Sequence, residues 1–189
     1  MAYALVPPGH APAPALGEIV SLDDGSTVTI RAIDLSDAFR LRRMFDRLSP
    51  ETVYHRFFAP IPPPRAETLM RLAAVDHDRR EALVALHGGE IVGIAQYEGR
   101  ADDEAEVAVA VEDAWQDRGL GTALLMRLAR VAARRGVQAF TAIVMGENSA
   151  AVRFLKRLSP ETSVRLDQSE YVVYAPLRRP DPDGRLVGR

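Results

Sequence analysis

Two rhythms of apolar and polar residues run along the chain. Alternation at every second residue marks a strand with one buried face. It covers residues 18–22 and 26–31, on either side of Asp23-Asp24-Gly25, and so predicts a hairpin. The same alternation covers 81–87 and 90–97 around Gly88-Gly89, then 104–111, 137–145, 164–166 and 171–177. Helical spacing instead joins Phe39, Leu41, Met44, Phe45 and Leu48, in a helix capped by Asp34 or Ser36 and ending near Arg47. Ser49-Pro50-Glu51 starts a second helix with proline at its first position. A break at 61–64 precedes a third helix over 66–75. Over 121–135, Leu124, Leu128 and Val131 line one face and Arg127, Arg130 and Arg134 another, with Gly136 placed as the C-cap. A last helix covers 148–158.

The resulting order is β-β-α-α-α-β-β-β-α-β-α-β-β. Hairpins dominate the first half, while strands and helices alternate in the second. That mixture predicts an α/β fold with a mixed, mostly antiparallel central sheet flanked by helices, not a doubly wound parallel one. The prolines Pro7, Pro8, Pro12 and Pro14 make residues 1–16 a flexible leader, and Pro180, Pro182 and Gly184 make 180–189 a flexible tail. Between them, 17–179 is expected to be a single domain.

Composition narrows the function classes. With 47% hydrophobic and 26% charged residues in 189, the chain suits a soluble globular domain. A net charge of −2 offers no basic face for nucleic acid. The absence of cysteine excludes disulfides, thiolate metal sites and thiol nucleophiles. No apolar run is long enough to span a membrane, and no basic-then-apolar start marks a signal peptide. A cytoplasmic location with no membrane partner is the expectation. His10, His55, His77 and His87 lack metal-ligand spacing, and Asp76-His77-Asp78 reads as a polar loop, so no metal is expected.

The candidate chemistry centres on Gln116-Asp117-Arg118-Gly119-Leu120-Gly121-Thr122, between the 104–111 strand and the helix over 121–135. Glycines let a backbone approach a ligand, and the free N–H groups and positive dipole end of a helix start attract anionic oxygens. A nucleotide P-loop would need a lysine that is absent here. A dinucleotide fingerprint would need a third glycine where Leu124 stands. A plain strand-to-helix turn is the remaining non-functional alternative.

A glutamine-x-x-glycine-x-glycine loop after Val109-Ala110-Val111, with Asn148-Ser149-Ala150-Ala151-Val152-Arg153-Phe154-Leu155 downstream, resembles the GNAT superfamily of N-acetyltransferases over residues 26–178. The resemblance implies acetyl-CoA as cosubstrate. Its pyrophosphate would lie on the loop from Gln116 through Asp117, Arg118, Gly119, Leu120 and Gly121 to Thr122. Its pantetheine arm would pair with the backbone over Val109, Ala110 and Val111. Asn148 would help to fix it, although the same side chain can serve simply as a helix N-cap. Leu48-Ser49-Pro50-Glu51-Thr52-Val53-Tyr54-His55-Arg56-Phe57-Phe58 is similar to a segment of bacterial protein-lysine acetyltransferases. Their cyclic-nucleotide or synthetase-like partner domain is not expected here.

An amine that attacks a thioester must first lose its proton, whereas a lysine ordinarily holds it to a pKa of about 10.4. Glu106 is the candidate base. It shares a strand face with Ala108 and Ala110, which leave room for a substrate, and partial burial there would raise its pKa. A solvated face or an ion pair with an arginine is the competing reading. Ala105-Glu106-Val107-Ala108-Val109 also matches the context of the base in the resembling lysine acetyltransferases. In the superfamily a backbone N–H near Val109 would hold the oxyanion. Glu104 and Glu112 read as solvated charges at the strand ends. Tyr54 and Arg56 are expected to rim the acceptor site. Many superfamily members carry an acidic tyrosine where Leu155 stands, so Tyr171 and Tyr174 are the weaker candidates for a general acid. The expected activity is acetyl transfer to an amine, first a protein lysine and second a small amine. An acyl-CoA-binding regulatory module with little turnover is the third reading. Monomer and homodimer both remain open.

Overall fold

The structure is a computed structural model that describes residues 17–57, 64–99, 103–145 and 148–177. The predicted order of elements is the observed one. Strands β1 (Glu18–Ser21) and β2 (Thr27–Ala32) form the first hairpin. A 3-10 turn at Leu35–Asp37 leads into α1 (Ala38–Arg47), followed by α2 (Pro50–Phe57) and α3 (Ala66–Ala73). Then come β3 (Arg80–His87), β4 (Glu90–Gly99), β5 (Glu104–Val111), α4 (Leu120–Arg134), β6 (Ala139–Met145), α5 (Ser149–Leu155), β7 (Ser163–Asp167) and β8 (Glu170–Pro176). The expected leader and tail, and most of the expected 61–64 break, lie outside the described residues. The last helix stops three residues before its expected end, in a turn at Lys156–Leu158.

The strands of the described residues form one sheet in the order β1-β2-β3-β4-β5-β6-β8-β7. Every neighbouring pair is antiparallel except β5 and β6. Because side chains alternate across a strand, each face of the sheet needs its own cover. On one face α4 presents Leu120, Leu124, Leu125 and Leu128 to Ala95, Tyr97 and Phe140. On the other, α1 and α3 bring Leu41, Met44 and Leu69 against Val84, Ile94 and Ala110. Ala110 is buried because α1 and α3 reach across the sheet as far as the end of β5, so of the two alanines Ala108 is the more open one beside Glu106. Phe39, read as part of the α1 apolar face, is 80% exposed. It lies two residues, or about 200°, from Leu41 and so on the opposite side of the helix.

A buried carboxylate fixes the far end of α4. Glu81 accepts hydrogen bonds from Arg135 Nη1 (2.8 Å) and the Ala82 amide (2.9 Å), and its Oε1 lies 2.9 Å from His77 Nδ1. A buried acid needs such partners, because an unpaired charge there would be expelled. At its middle, α4 is tied to β1 by a forked pair from Arg127 to Glu18, at 2.8 and 2.6 Å. Held in this way, its N-terminus stays in register with the end of β5.

Candidate active site

β5 and β6 pair at Glu104↔Ala139, Ala105↔Phe140 and Glu106↔Thr141, and no further. Beyond Glu106 the two strands part, and a cleft of about 860 Å³ lies in the fork. Val107, Ala108, Val109, Ala110 and Val111 line one wall, and Ala142, Ile143 and Val144 the other. Unpaired strand edges inside such a fork leave main-chain donors and acceptors for an extended ligand.

The glycine loop closes one end of the cleft. Asp117 (φ 57°) and Gly119 (φ 80°) both take the left-handed conformation, which turns the chain sharply into α4. No side chain of the described residues caps the helix, so its first-turn amides remain available to an anion. Gln116, Asp117, Gly119, Leu120, Gly121 and Thr122 line the cleft. Arg118 does not. Its guanidinium bonds Asp24 Oδ2 at 2.9 Å and lies 5.0 Å from the Trp115 ring centroid, and the His87 ring also packs on Trp115. Only its main chain is left to serve the loop.

A second network joins this loop to α2. Asp113 accepts from the Ser49 hydroxyl (2.5 Å), the Ser49 amide (2.9 Å) and the Thr52 hydroxyl (2.9 Å). Gln116 Nε2 donates to Thr52 Oγ1 and to the Val111 carbonyl, each at 3.1 Å. The Gln116 amide group thus clamps the end of β5 to α2. Burial alone would push the Asp113 carboxyl up, but the bonds from Ser49 and Thr52 outweigh it and hold the group below its ordinary value.

This anchorage sets the face that α2 turns to the fork. Glu51, Thr52, His55 and Arg56 line the cleft. Tyr54 does not, because helical geometry carries it about 200° around from Thr52. Burial pushes the Arg56 guanidinium below its ordinary value, and the negative charge of Glu106 opposes that shift. Glu106 itself lines the cleft but is exposed, not partly buried. It sits where the fork opens, on the part of its strand face that α1 and α3 do not reach. The two competing features expected of Glu106, solvation and coupling to an arginine, are therefore both present in a residue that also faces the cleft.

Asn148 caps α5, its Oδ1 accepting from the Ala151 amide at 3.0 Å, and it also lines the cleft. Leu155 is buried at the cleft wall, where a phenol would be needed for acid catalysis. Neither Tyr171 nor Tyr174 borders the cleft. Glu112, expected to be solvated, is only 13% exposed because Arg47 Nε bonds it at 3.0 Å. Sequence patterns missed Asp23, Asp113, Phe154 and Glu170 as neighbours of the site or its supports. Phe154 alone carried a signal, through the Asn148 motif.

The family model "Acetyltransferase (GNAT) family" matches residues 41–159. The chain belongs to this family. An acetyltransferase of Pseudomonas aeruginosa is 32% identical over 159 residues, which are 78% of this chain and 86% of that protein. The GNAT domain of S. lividans PAT superposes with a TM-score of 0.79 at 32% identity, covering 85% of this chain and 97% of that one. The acetyltransferase Pat of Mycolicibacterium smegmatis is 37% identical over 114 residues, 58% of this chain and 34% of that protein. This GNAT chain is thus an acetyl-CoA-dependent acyltransferase with an α/β fold, a mostly antiparallel sheet and amine acceptors as its substrates. The fork, the uncapped α4 N-terminus and the glycine loop suit the pantetheine arm and diphosphate of that cosubstrate. No helix among the described residues is long and apolar enough to cross a membrane.

Proposed function

We propose that the chain transfers acetyl groups to lysine side chains of proteins, with Glu106 as the general base. The observation that carries this is the place of Glu106: it is the last residue of β5 paired to β6, at the opening of the fork. Acetyl-CoA would lie along Val109 to Val111 with its diphosphate on the loop amides of Gly119 to Thr122. Its thioester would then approach the fork within reach of Glu106. The acceptor ammonium passes a proton to the carboxylate, directly or through a water. The neutral amine attacks the thioester carbonyl carbon, and the negative charge forms on its oxygen, where a main-chain N–H near Val109 donates. Collapse breaks the C–S bond. The extra proton on the new amide nitrogen leaves, and the thiolate gains it through water, since Leu155 offers none; the proton held by Glu106 passes to solvent.

Exposure of Glu106 supports an acceptor presented from outside, as a lysine on a protein surface would be. Arg56 then has a defined part: it lines the same cleft as Glu106, and the two opposite charges attract across it. Two core clusters on the faces of one sheet support a single catalytic domain; a cytoplasmic location and a monomeric or homodimeric state belong to the same proposal.

The test is Glu106→Gln. Acetyl transfer to lysine peptides falls about 10²-fold or more while acetyl-CoA binding holds. A variant that turns over at the wild-type rate would remove Glu106 from this role. Small amines that outpace lysine-bearing proteins in kcat/KM would move the activity to the second acceptor class. Binding of acetyl-CoA with no thiol release in the presence of any amine would leave only the regulatory reading.

A further inference from the structure

Beneath the glycine loop lies the turn of the first hairpin, and it is acidic. The Asp23 amide donates to the Arg118 carbonyl at 3.0 Å, which fixes the turn against the loop. Asp23 turns its carboxylate to Gly119: a Cβ placed on that glycine would lie 2.6 Å from Asp23 Oδ2. Asp23 also lines the cleft beside Gly119, Gly121 and Thr122. No described residue donates a hydrogen bond to its carboxylate. The neighbouring Asp24 takes the only cation of the loop, Arg118. Asp117, itself part of the loop, adds another carboxylate at the cleft.

This is an unusual surrounding for an anion. Loop amides and the helix dipole attract a diphosphate, yet the side chains of the loop and of the turn beneath it, Asp23, Asp24, Asp117 and Arg118, are net negative. We propose that Asp23 is a built-in counter-charge that weakens the hold of the loop on the diphosphate of CoA, and so sets how readily the thiol product leaves. The inference rests on the reading that this loop takes the diphosphate. A unit charge about 5 Å from the diphosphate, in largely aqueous surroundings, changes affinity about three- to tenfold. The effect needs no new contact. It follows from removing a repulsion, so the variant binds more tightly than the parent.

Asp23→Asn keeps a turn-forming residue and removes the charge; Asp23→Ser serves as a second variant. By calorimetry, both bind CoA about three- to tenfold more tightly than the parent. Dephospho-CoA, which keeps the diphosphate, shows the same gain. The kcat/KM for S-acetylpantetheine, which lacks the diphosphate, does not change. Raising salt from about 0.02 to about 0.5 M shrinks the gain, because screening removes the repulsion in the parent. Asp46→Asn, remote on α1, shows no gain. Unchanged or weaker CoA binding in both Asp23 variants overturns the proposal. If CoA binds and Gly121→Val weakens it, that result still leaves the diphosphate reading intact. If Gly121→Val has no effect on CoA, the diphosphate reading falls, and the role of Asp23 falls with it.

Discussion

The two halves of this one sheet are built to different rules. Across β2, β3 and β4 both faces are covered, by α4 on one side and by α1 and α3 on the other. Leu41, Met44, Val84, Ala85 and Ile91 are all 0% exposed there. Across β6, β8 and β7 one face packs on the α4 side, while the other carries exposed Ile143 and Tyr174. The boundary falls at β5, whose Ala110 end is buried under α1 and whose Glu106 lies open. Covered strands gain apolar burial on two faces and supply stability. Half-covered strands forgo that gain, and in exchange leave a fork, unpaired main chain and an approachable carboxylate. A substitution in the first half is expected to act on folding, and one at the fork on turnover.

Leu41→Ala gives the largest effect. It opens a cavity in the fully covered half and lowers unfolding free energy by about 3 kcal/mol. Denaturant melts check this, and the KM values of the surviving native fraction stay the same. A change in acceptor KM would show that the two halves are coupled.

Asp37 comes next. It is fully buried, receives Arg31 at 2.6 and 2.8 Å and Arg40 at 3.1 Å, and is held below the usual aspartate range because these pairs outweigh its burial. Asp37→Asn lowers stability at neutral pH by about 2–3 kcal/mol. A lowered folded pKa gives stability that is fully present above the unfolded value of about 3.9 and is lost as pH falls through the folded one. The gap between parent and variant therefore closes on acidification below about pH 4. A gap independent of pH would contradict the assignment.

At the fork the readout changes. A Cβ on Gly121 already meets Phe154 at 3.5 Å and Val111 at 3.7 Å. Gly121→Val adds two further methyl groups between them and raises the KM for acetyl-CoA about tenfold, equivalent to about 1.4 kcal/mol. Its melting temperature changes little. Thr52→Val gives the smallest effect. It removes the hydroxyl shared by Asp113 and Gln116, which costs about 1 kcal/mol and raises acceptor KM more than acetyl-CoA KM. Equal changes in both would mean that α2 does not position the acceptor side.

The order of elements was legible because each has its own apolar period, and a period survives whatever lies opposite. The glycine loop and Asn148 were legible because a strand, a turn and a helix start are neighbours in sequence. The fork itself was not. Residues 104–111 and 139–145 each look like an unbroken strand, and nothing in either pattern shows that the pairing ends at Glu106 and Thr141. Where two strands part belongs to tertiary contact, not to local pattern. For the same reason Asp23 read as an ordinary turn residue, and Tyr54 as a rim residue beside Arg56. Gln116 was marked for the cofactor by its motif, yet its side chain joins Val111 to Thr52. A motif names the position, and the fold decides which atoms are left for a ligand.

Hydrogen exchange with and without CoA tests the division of the sheet most directly. New protection is expected over residues 107–111, 116–123 and 142–145, with α1 and α3 unchanged. Protection centred on α1 and α3, or none in the fork, would contradict it.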